Sequence, residues 1–288
     1  MTSNPKSIIV TGGASGIGLA TSRHFASQGH RIAILDINAD VGLRVAQELA
    51  EEYPASIVVF KKCDVASWDE QAAVFKDVFL EHGGRLDIVM ANAGIAEGGM
   101  ITVVDLEEEE PSPPRLRTLE INLIGVIYSV KLAAHYMNKK PLDDTVTSRG
   151  SVICTASNVG LYPLPSSPLY SATKFGVVGL VRSLANILSK AKIQINALAP
   201  SLIETNIISD HSLYKRMTLT PMETLIRGVS QLLGDAATTG QIAEIHGENV
   251  TIRPHHDFVD ETVETTITQL GAVSEEYRAL RRAQETKP

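Results

Sequence analysis

Residues 7–18 read Ser7-Ile8-Ile9-Val10-Thr11-Gly12-Gly13-Ala14-Ser15-Gly16-Ile17-Gly18. The stretch from Ser7 to Thr11 is β-branched and apolar, as a strand buried on both faces requires. The glycines after it permit a tight turn and a close backbone approach to a bound group. Directly behind them, residues 16–28 read as a helix. Strand, glycine turn and helix in this order gather backbone N–H groups and the positive end of a helix at one point. That is a seat for a pyrophosphate.

Working outward, the same alternation continues. Strands are expected at 31–36, 56–61, 86–91, 151–155 and 193–198, and helices at 39–52, 68–81, 116–139 and 169–189. Continuous apolar runs such as Ile32-Ala33-Ile34-Leu35 suit parallel strands covered on both sides. The expected fold is therefore α/β: a single-domain, Rossmann-type, doubly wound parallel sheet flanked by helices on both faces. In such a sheet the carboxyl ends of the strands line the ligand crevice. Asp36, Asp64 and Asn92 end the second, third and fourth strands and so fall there. The carboxylate of Asp36 is suited to the ribose hydroxyls of an adenosine. It is also compatible with capping the next helix, a role more natural for Asn38. The prolines at 111, 113 and 114 after a run of glutamates predict a solvated loop. Beyond about Gly247 the pattern weakens. A domain over 1–248 and an extension over 249–288, packed on the same domain or a partner subunit, are expected. Within it, 249–254 reads as a short extended piece and 275–284 as a polar helix.

Composition narrows the class. Hydrophobic residues make up 44% and charged residues 20% of the 288, which is ordinary for a globular protein. A net charge of −7 with no basic block argues against a nucleic-acid surface. The opening residues lack the basic start and apolar stretch of a secretory signal, and no run has the length of a membrane span. The two cysteines, Cys63 and Cys154, end apolar runs and read as buried thiols. A cytoplasmic protein is expected. His255-His256-Asp257 is not a metal site, because adjacent side chains point apart; no metal is expected.

The chemistry sits further along. Ser157 follows the fifth strand; Tyr170 and Lys174 stand at i and i+4 near a helix start and share one face. A free phenol titrates near pH ~10, and a neighbouring ammonium favours the phenolate. Such a phenol is suited to giving a proton to a carbonyl oxygen or taking one from an alcohol.

Taken together, Thr11–Gly18, Asp64, Asn92-Ala93-Gly94, Asn122, Ser157, Tyr170 to Lys174 and the stretch from Asn196 to Thr205 resemble the short-chain dehydrogenase/reductase family, in order and at family spacing. The general style is most similar to fungal members related to 15-hydroxyprostaglandin dehydrogenases. The resemblance implies that Tyr170 is the general acid/base and that Lys174 lowers its pKa and holds the nicotinamide ribose. It implies that Ser157 bonds the substrate oxygen and Asn122 supports a relay water. Gly12, Ser15, Gly16, Ile17 and Gly18 would cradle phosphates and ribose. Asp64, Val65, Asn92, Ala93 and Gly94 would line the adenosine side, and Pro200, Ile203 and Thr205 the nicotinamide side. Three positions depart from the family: Ala91 stands for an Asn, Ser201 for a Gly, and Ala156 for a Ser. Ser201 would shift the nicotinamide-side loop or present a hydroxyl to substrate. None removes a catalytic group.

The expected activity is hydride transfer between a nicotinamide and a medium-sized, mostly apolar secondary alcohol or ketone. Pocket walls are expected from residues 95–100, 158–168 and a lid over about 206–221. Alternatives are a non-redox isomerisation or cyclisation in the same pocket and a non-catalytic cofactor-sensing regulator. NAD is expected over NADP, since Asp36 would repel a 2′-phosphate and no cation stands at Ala14, Ser15, Ile37 or Asn38. A homodimer, or a tetramer built from it, is expected through the helices at 116–139 and 169–189.

Overall fold

The protein is described from a computed structural model, which covers residues 5–97, 103–104, 106, 108–141, 147–208 and 210–285. Residues 98–100 of the expected pocket wall and residue 209 of the expected lid fall outside these. An eight-stranded sheet runs in the order β3-β2-β1-β4-β5-β6-β7-β8. Its strands are β1 (Ser7–Thr11), β2 (Arg31–Asp36), β3 (Ile57–Lys62), β4 (Ile88–Ala91), β5 (Gly150–Thr155), β6 (Ile193–Pro200), β7 (Ile242–His246) and β8 (Asn249–Arg253). All neighbours pair in parallel except β7 and β8. The doubly wound arrangement read from the sequence is what the chain adopts.

Alternation along the strands divides the core between the two faces. Ile8 and Val10 of β1 join Phe25 of α1 (Gly16–Ser27), Val45 and Leu49 of α2 (Ala39–Glu52) and Val229 of α7 (Met222–Gly234) on one side. Ile9 turns to the other, against Phe75 of α3 (Trp68–Glu81), Val130 of α5 (Gly125–Met137) and Val181 of α6 (Pro168–Ser189). Each such side chain taken fully out of water is worth roughly 1.5–3 kcal/mol. Helices on both faces are thus a consequence of strands apolar on both faces.

The sequence reading missed α7 and β7, and it gave the extended piece at 249–254 without its place in the sheet. β7 carries Glu244 at its centre, which breaks the apolar run although that residue is buried. Gly247, at φ +50°, begins the two-residue turn that folds β8 back on β7; positive φ is what such a turn asks of its first residue. The extended piece assigned to the tail is therefore an edge strand of the sheet, and the first compact unit runs to Arg253. The second unit, from Pro254, holds α8 (Glu261–Glu285), longer than the helix expected there.

The expected helix over 116–139 is also not uniform. It comprises α4 (Arg117–Leu119), a π-helical turn over Glu120–Ile124 and α5. Such a turn widens the helix locally and is frequent at functional sites. Here it carries Asn122, which is fully buried.

Candidate active site

The carboxyl ends of seven parallel strands lie along one edge of the sheet, and side chains lace three of them together. The Thr11 hydroxyl donates to the Met90 carbonyl at 3.3 Å and accepts the N–H groups of Asn92 and Ala93 at 2.9 and 3.1 Å. The Asn92 carboxamide donates to the Thr11 and Gly12 carbonyls at 3.1 and 3.4 Å and accepts the Thr155 hydroxyl at 3.0 Å. Asn92 is thus a tie between β1, β4 and β5, and its side chain is already engaged where an adenosine contact was expected.

The glycine turn packs too closely for side chains. A Cβ on Gly18 would lie 2.0 Å from the Gly12 carbonyl oxygen, and one on Gly12, at φ +62°, 2.8 Å from the Ala93 Cα. Behind the turn, α1 begins without a side-chain cap from Ser15 and without an acidic residue in its first turn. Its leading amides are left for an anion. Thr205 closes over the turn, its Cβ 3.1 Å from where a Gly16 side chain would begin. Tyr214 holds it there, donating to the Thr205 carbonyl at 2.9 Å. Ile203 is buried in the core cluster, so its side chain supports this loop from beneath. The cradle fits a dinucleotide pyrophosphate.

Asp36 stands beside it. One carboxylate oxygen accepts the Ala14 N–H at 3.2 Å and the other the Asn38 N–H at 3.1 Å. Capping of α2 falls to Asn38, which accepts the Val41 N–H at 3.1 Å. Asp64 accepts the Ala66 N–H at 3.0 Å and the Arg117 guanidinium at 2.6 Å. Burial pushes its carboxyl up, but those two bonds outweigh it and hold it below its ordinary value. Val65 is buried, and its carbonyl accepts the Gln71 carboxamide at 2.5 Å.

At the other end, the sequence-expected catalytic residues come together. Lys174 is 3% exposed, and its ammonium donates to the Thr155 carbonyl at 2.9 Å. It lies 5.4 Å from the centroid of the Tyr170 ring, one helical turn back, within the range of a cation–π attraction. An ammonium has three donors, and among the described residues only one acceptor meets them. The Ser157 hydroxyl stands near enough to the Tyr170 phenol to favour its ionised form. Gly160, in the turn after Ser157, presses against the Lys174 carbonyl, 2.6 Å from where its Cβ would be. Asn122 grips Ile95 from both directions, accepting its N–H at 2.9 Å and donating to its carbonyl at 2.8 Å. Gly94 lies between Asn122 and the Lys174 ammonium.

Electrostatics depart from the expectation in one respect. Burial holds the Tyr170 phenol above its ordinary value, and the Ser157 hydroxyl offsets this only in part. The Lys174 ammonium lies over the ring and does not bring the phenol below 10 in the free chain. Burial acts on Lys174 too, lowering it from 10.5 to about 8.

Comparison with known proteins agrees with this geometry. Residues 6–214 match the short chain dehydrogenase family. This chain belongs to that family. Among its relatives, the short-chain dehydrogenase/reductase prx7 of Penicillium rubens is 33% identical over 89% of this chain and 99% of its own length. Mouse 15-hydroxyprostaglandin dehydrogenase [NAD(+)] is 30% identical over 84% of this chain and 90% of its own. A solved short-chain type dehydrogenase/reductase from Mycobacterium ulcerans superposes with a TM-score of 0.73 at 26% identity, covering 86% of this chain and 90% of that one. The chain is accordingly an oxidoreductase acting on CH–OH or C=O groups.

Several contacts of this short-chain dehydrogenase site escaped the sequence reading. Glu97 accepts the Tyr170 N–H at 3.0 Å, anchoring the start of α6. Arg117 bridges Asp64 and Glu120. Asn158 and Glu244 bond to Ser201 and Tyr162 respectively. Glu97, Asn158 and Tyr162 lie within the expected pocket walls and Ser201 had drawn notice as a departure from the family, whereas Arg117 and Glu244 had not been singled out.

Lys174 offers a direct test of these electrostatics. Its folded value, about 8, lies below its ordinary 10.5. Between those pH values the unfolded chain binds the proton and the folded chain does not, so stability rises with pH across that window. At 1.36 kcal/mol per unit, the gain is up to about 3 kcal/mol. Lys174→Met should lose this dependence. Urea denaturation at pH 7 and pH 10 should show wild type gaining on the variant; a constant difference would contradict the buried ammonium.

Proposed function

We propose that this chain transfers a hydride between NAD(H) and a medium-sized, mostly apolar secondary alcohol or ketone, with Tyr170 as the general acid/base. The observation that carries this is the buried Lys174 ammonium beside the Tyr170 ring, with the Ser157 hydroxyl near the phenol. Bound nicotinamide supplies or accepts the hydride. The chain's own residues do the rest. Ser157 orients the reacting oxygen, and Tyr170 gives it a proton in reduction and takes one in oxidation. Lys174 offers its free donors to ribose hydroxyls and its charge to the phenolate. Asn122 fixes Ile95 and supports a water behind Lys174, and the strand ends exclude bulk solvent.

Preference for NAD rests on Asp36. Its carboxylate stays fixed by the Ala14 and Asn38 N–H groups, and a 2′-phosphate there would meet like charge. At an effective dielectric of ~20 and ~4 Å the repulsion is about 4 kcal/mol before relief by solvent; a third of that is about tenfold. Arg44 does not offset it, being 67% exposed in its side chain and paired with Glu48. The NAD(+) in the name of the mouse relative supports the same reading.

Ile124, Ile127, Phe175 and Ile187 stand 38–43% exposed on the π turn, α5 and α6. These faces support a homodimer formed by an isologous contact, from which a tetramer would be built. Both cysteines are buried and free, their thiols pushed up to about 12 by burial, which suits a reducing cytoplasm. No helix among the described residues is long and apolar enough to cross a membrane.

Tyr170→Phe should cut turnover by ~10²–10⁴ while cofactor affinity changes less than about threefold; near-normal turnover would refute the assignment. Steady-state kinetics should give a higher kcat/KM with NAD(H) than with NADP(H), and parity would show Asp36 misread. Sedimentation at micromolar concentration should show a dimer or larger; only a 31.0 kDa species would count against it.

A further inference from the structure

Ser201 stands where the family resemblance leads to glycine, yet its backbone does not need one: Lys192 is the sole positive-φ residue other than glycine among those described. Its N–H is spent on the Ile245 carbonyl at 2.8 Å, which fixes the start of the loop after β6. What the substitution adds is a hydroxyl, half-buried, at the wall beside Ser157. That hydroxyl belongs to a chain of donations with one direction. Ser157 accepts the Val159 N–H at 3.2 Å and donates to the Asn158 carboxamide oxygen at 3.2 Å, with the Pro200 carbonyl also at 3.5 Å. The Asn158 carboxamide nitrogen donates in turn to the Ser201 oxygen at 3.4 Å. The Asn158 carboxamide thus turns its oxygen to Ser157 and its NH₂ to Ser201.

Ser201 is therefore the acceptor at the end of the chain, and its own proton is directed away from Asn158. Among the described residues no acceptor takes it. A hydroxyl that accepts a hydrogen bond is polarised into a better donor, and the Asn158 amide does this to Ser201 also when Ser157 turns its proton to a substrate oxygen. Tyr162, another hydroxyl on this wall, donates instead to the buried Glu244 at 3.3 Å.

We propose that Ser201 is a specificity-determining residue that donates a hydrogen bond to a second oxygen on the substrate, in 1,2 or 1,3 relation to the reacting carbon. This rests on the oxidoreductase reading above and sharpens it: the substrate is a hydroxyketone, a diketone or the corresponding diol, apolar elsewhere. One carboxamide separates Ser157 from Ser201, so a substrate whose reacting oxygen meets Ser157 carries its second oxygen along the same wall.

The test compares 2-hydroxycyclohexanone with cyclohexanone as matched substrates and reads the ratio of their kcat/KM values within each variant. Comparing ratios across variants cancels the ketones' different intrinsic reactivity. One such bond nets roughly a five- to tenfold effect. Ser201→Ala and Ser201→Gly should lower the ratio by at least about fivefold, whereas Ser201→Thr, which keeps the hydroxyl, should stay within twofold of wild type. In an Asn158→Ala background, where the amide no longer directs the hydroxyl, Ser201→Ala should move the ratio by less than twofold. An unchanged ratio in Ser201→Ala, or a fall in Ser201→Thr as large as in Ser201→Ala, would overturn the proposal while leaving the oxidoreductase reading intact. Failure of wild type to reduce any ketone would overturn that reading and this inference with it.

Discussion

The lacing of Thr11, Asn92 and Thr155 across β1, β4 and β5 is the contact on which the geometry of the site depends. Parallel strands stop at the same edge of a sheet but are not thereby held in fixed relation beyond their last ladder bond. Here two hydroxyls and one carboxamide continue the pairing past the ends of the strands. Asn92 draws the glycine turn against Ala93, leaving no room for a side chain on Gly12 or Gly18. The Thr155 hydroxyl goes to Asn92, while the carbonyl of the same residue holds the Lys174 ammonium. Cofactor cradle and catalytic pair are thus attached to one rigid set of strand ends.

Two electrostatic effects compete at the catalytic pair. Burial raises the phenol and lowers the ammonium, carrying Lys174 below Tyr170 and moving the two values apart. Charge attraction would do the opposite, favouring phenolate and ammonium together. In the free chain burial prevails: the ammonium sits over the ring face, and the neutral Ser157 hydroxyl offsets burial of the phenol only in part. The pair is thus neutral at Tyr170 and readily depleted of charge at Lys174. Proton transfer in either direction draws on groups whose charged forms are disfavoured, a common condition of acid–base sites.

Much of this was legible in the sequence, for local reasons. The first strand, glycine turn and helix are specified within twelve consecutive residues, and Tyr170 and Lys174 lie one helical turn apart. What was not legible depends on distant partners. Glu244 interrupts β7 as written, and only the Arg253 guanidinium and Tyr162 hydroxyl around it account for its burial. The π turn that buries Asn122 has no sequence signature of its own; it is fixed by the grip on Ile95. Asp36 and Asn38 could be ranked as cap candidates but not assigned, since either carboxylate or carboxamide reaches a backbone N–H. Ser201 was visible as a departure, yet its role rests on an amide forty-three residues away.

The central claim is that this site sets a nicotinamide against a carbon whose oxygen is bonded to Tyr170 and Ser157. The most direct measurement is transfer of label: NADH deuterated at C4, the purified chain and a panel of ketones, with the alcohol products analysed by mass spectrometry and NMR. Deuterium should appear on the carbinol carbon of at least one product, at a rate that falls together with Tyr170→Phe. Absence of label from every carbinol carbon, with NADH shown to bind, would contradict the account.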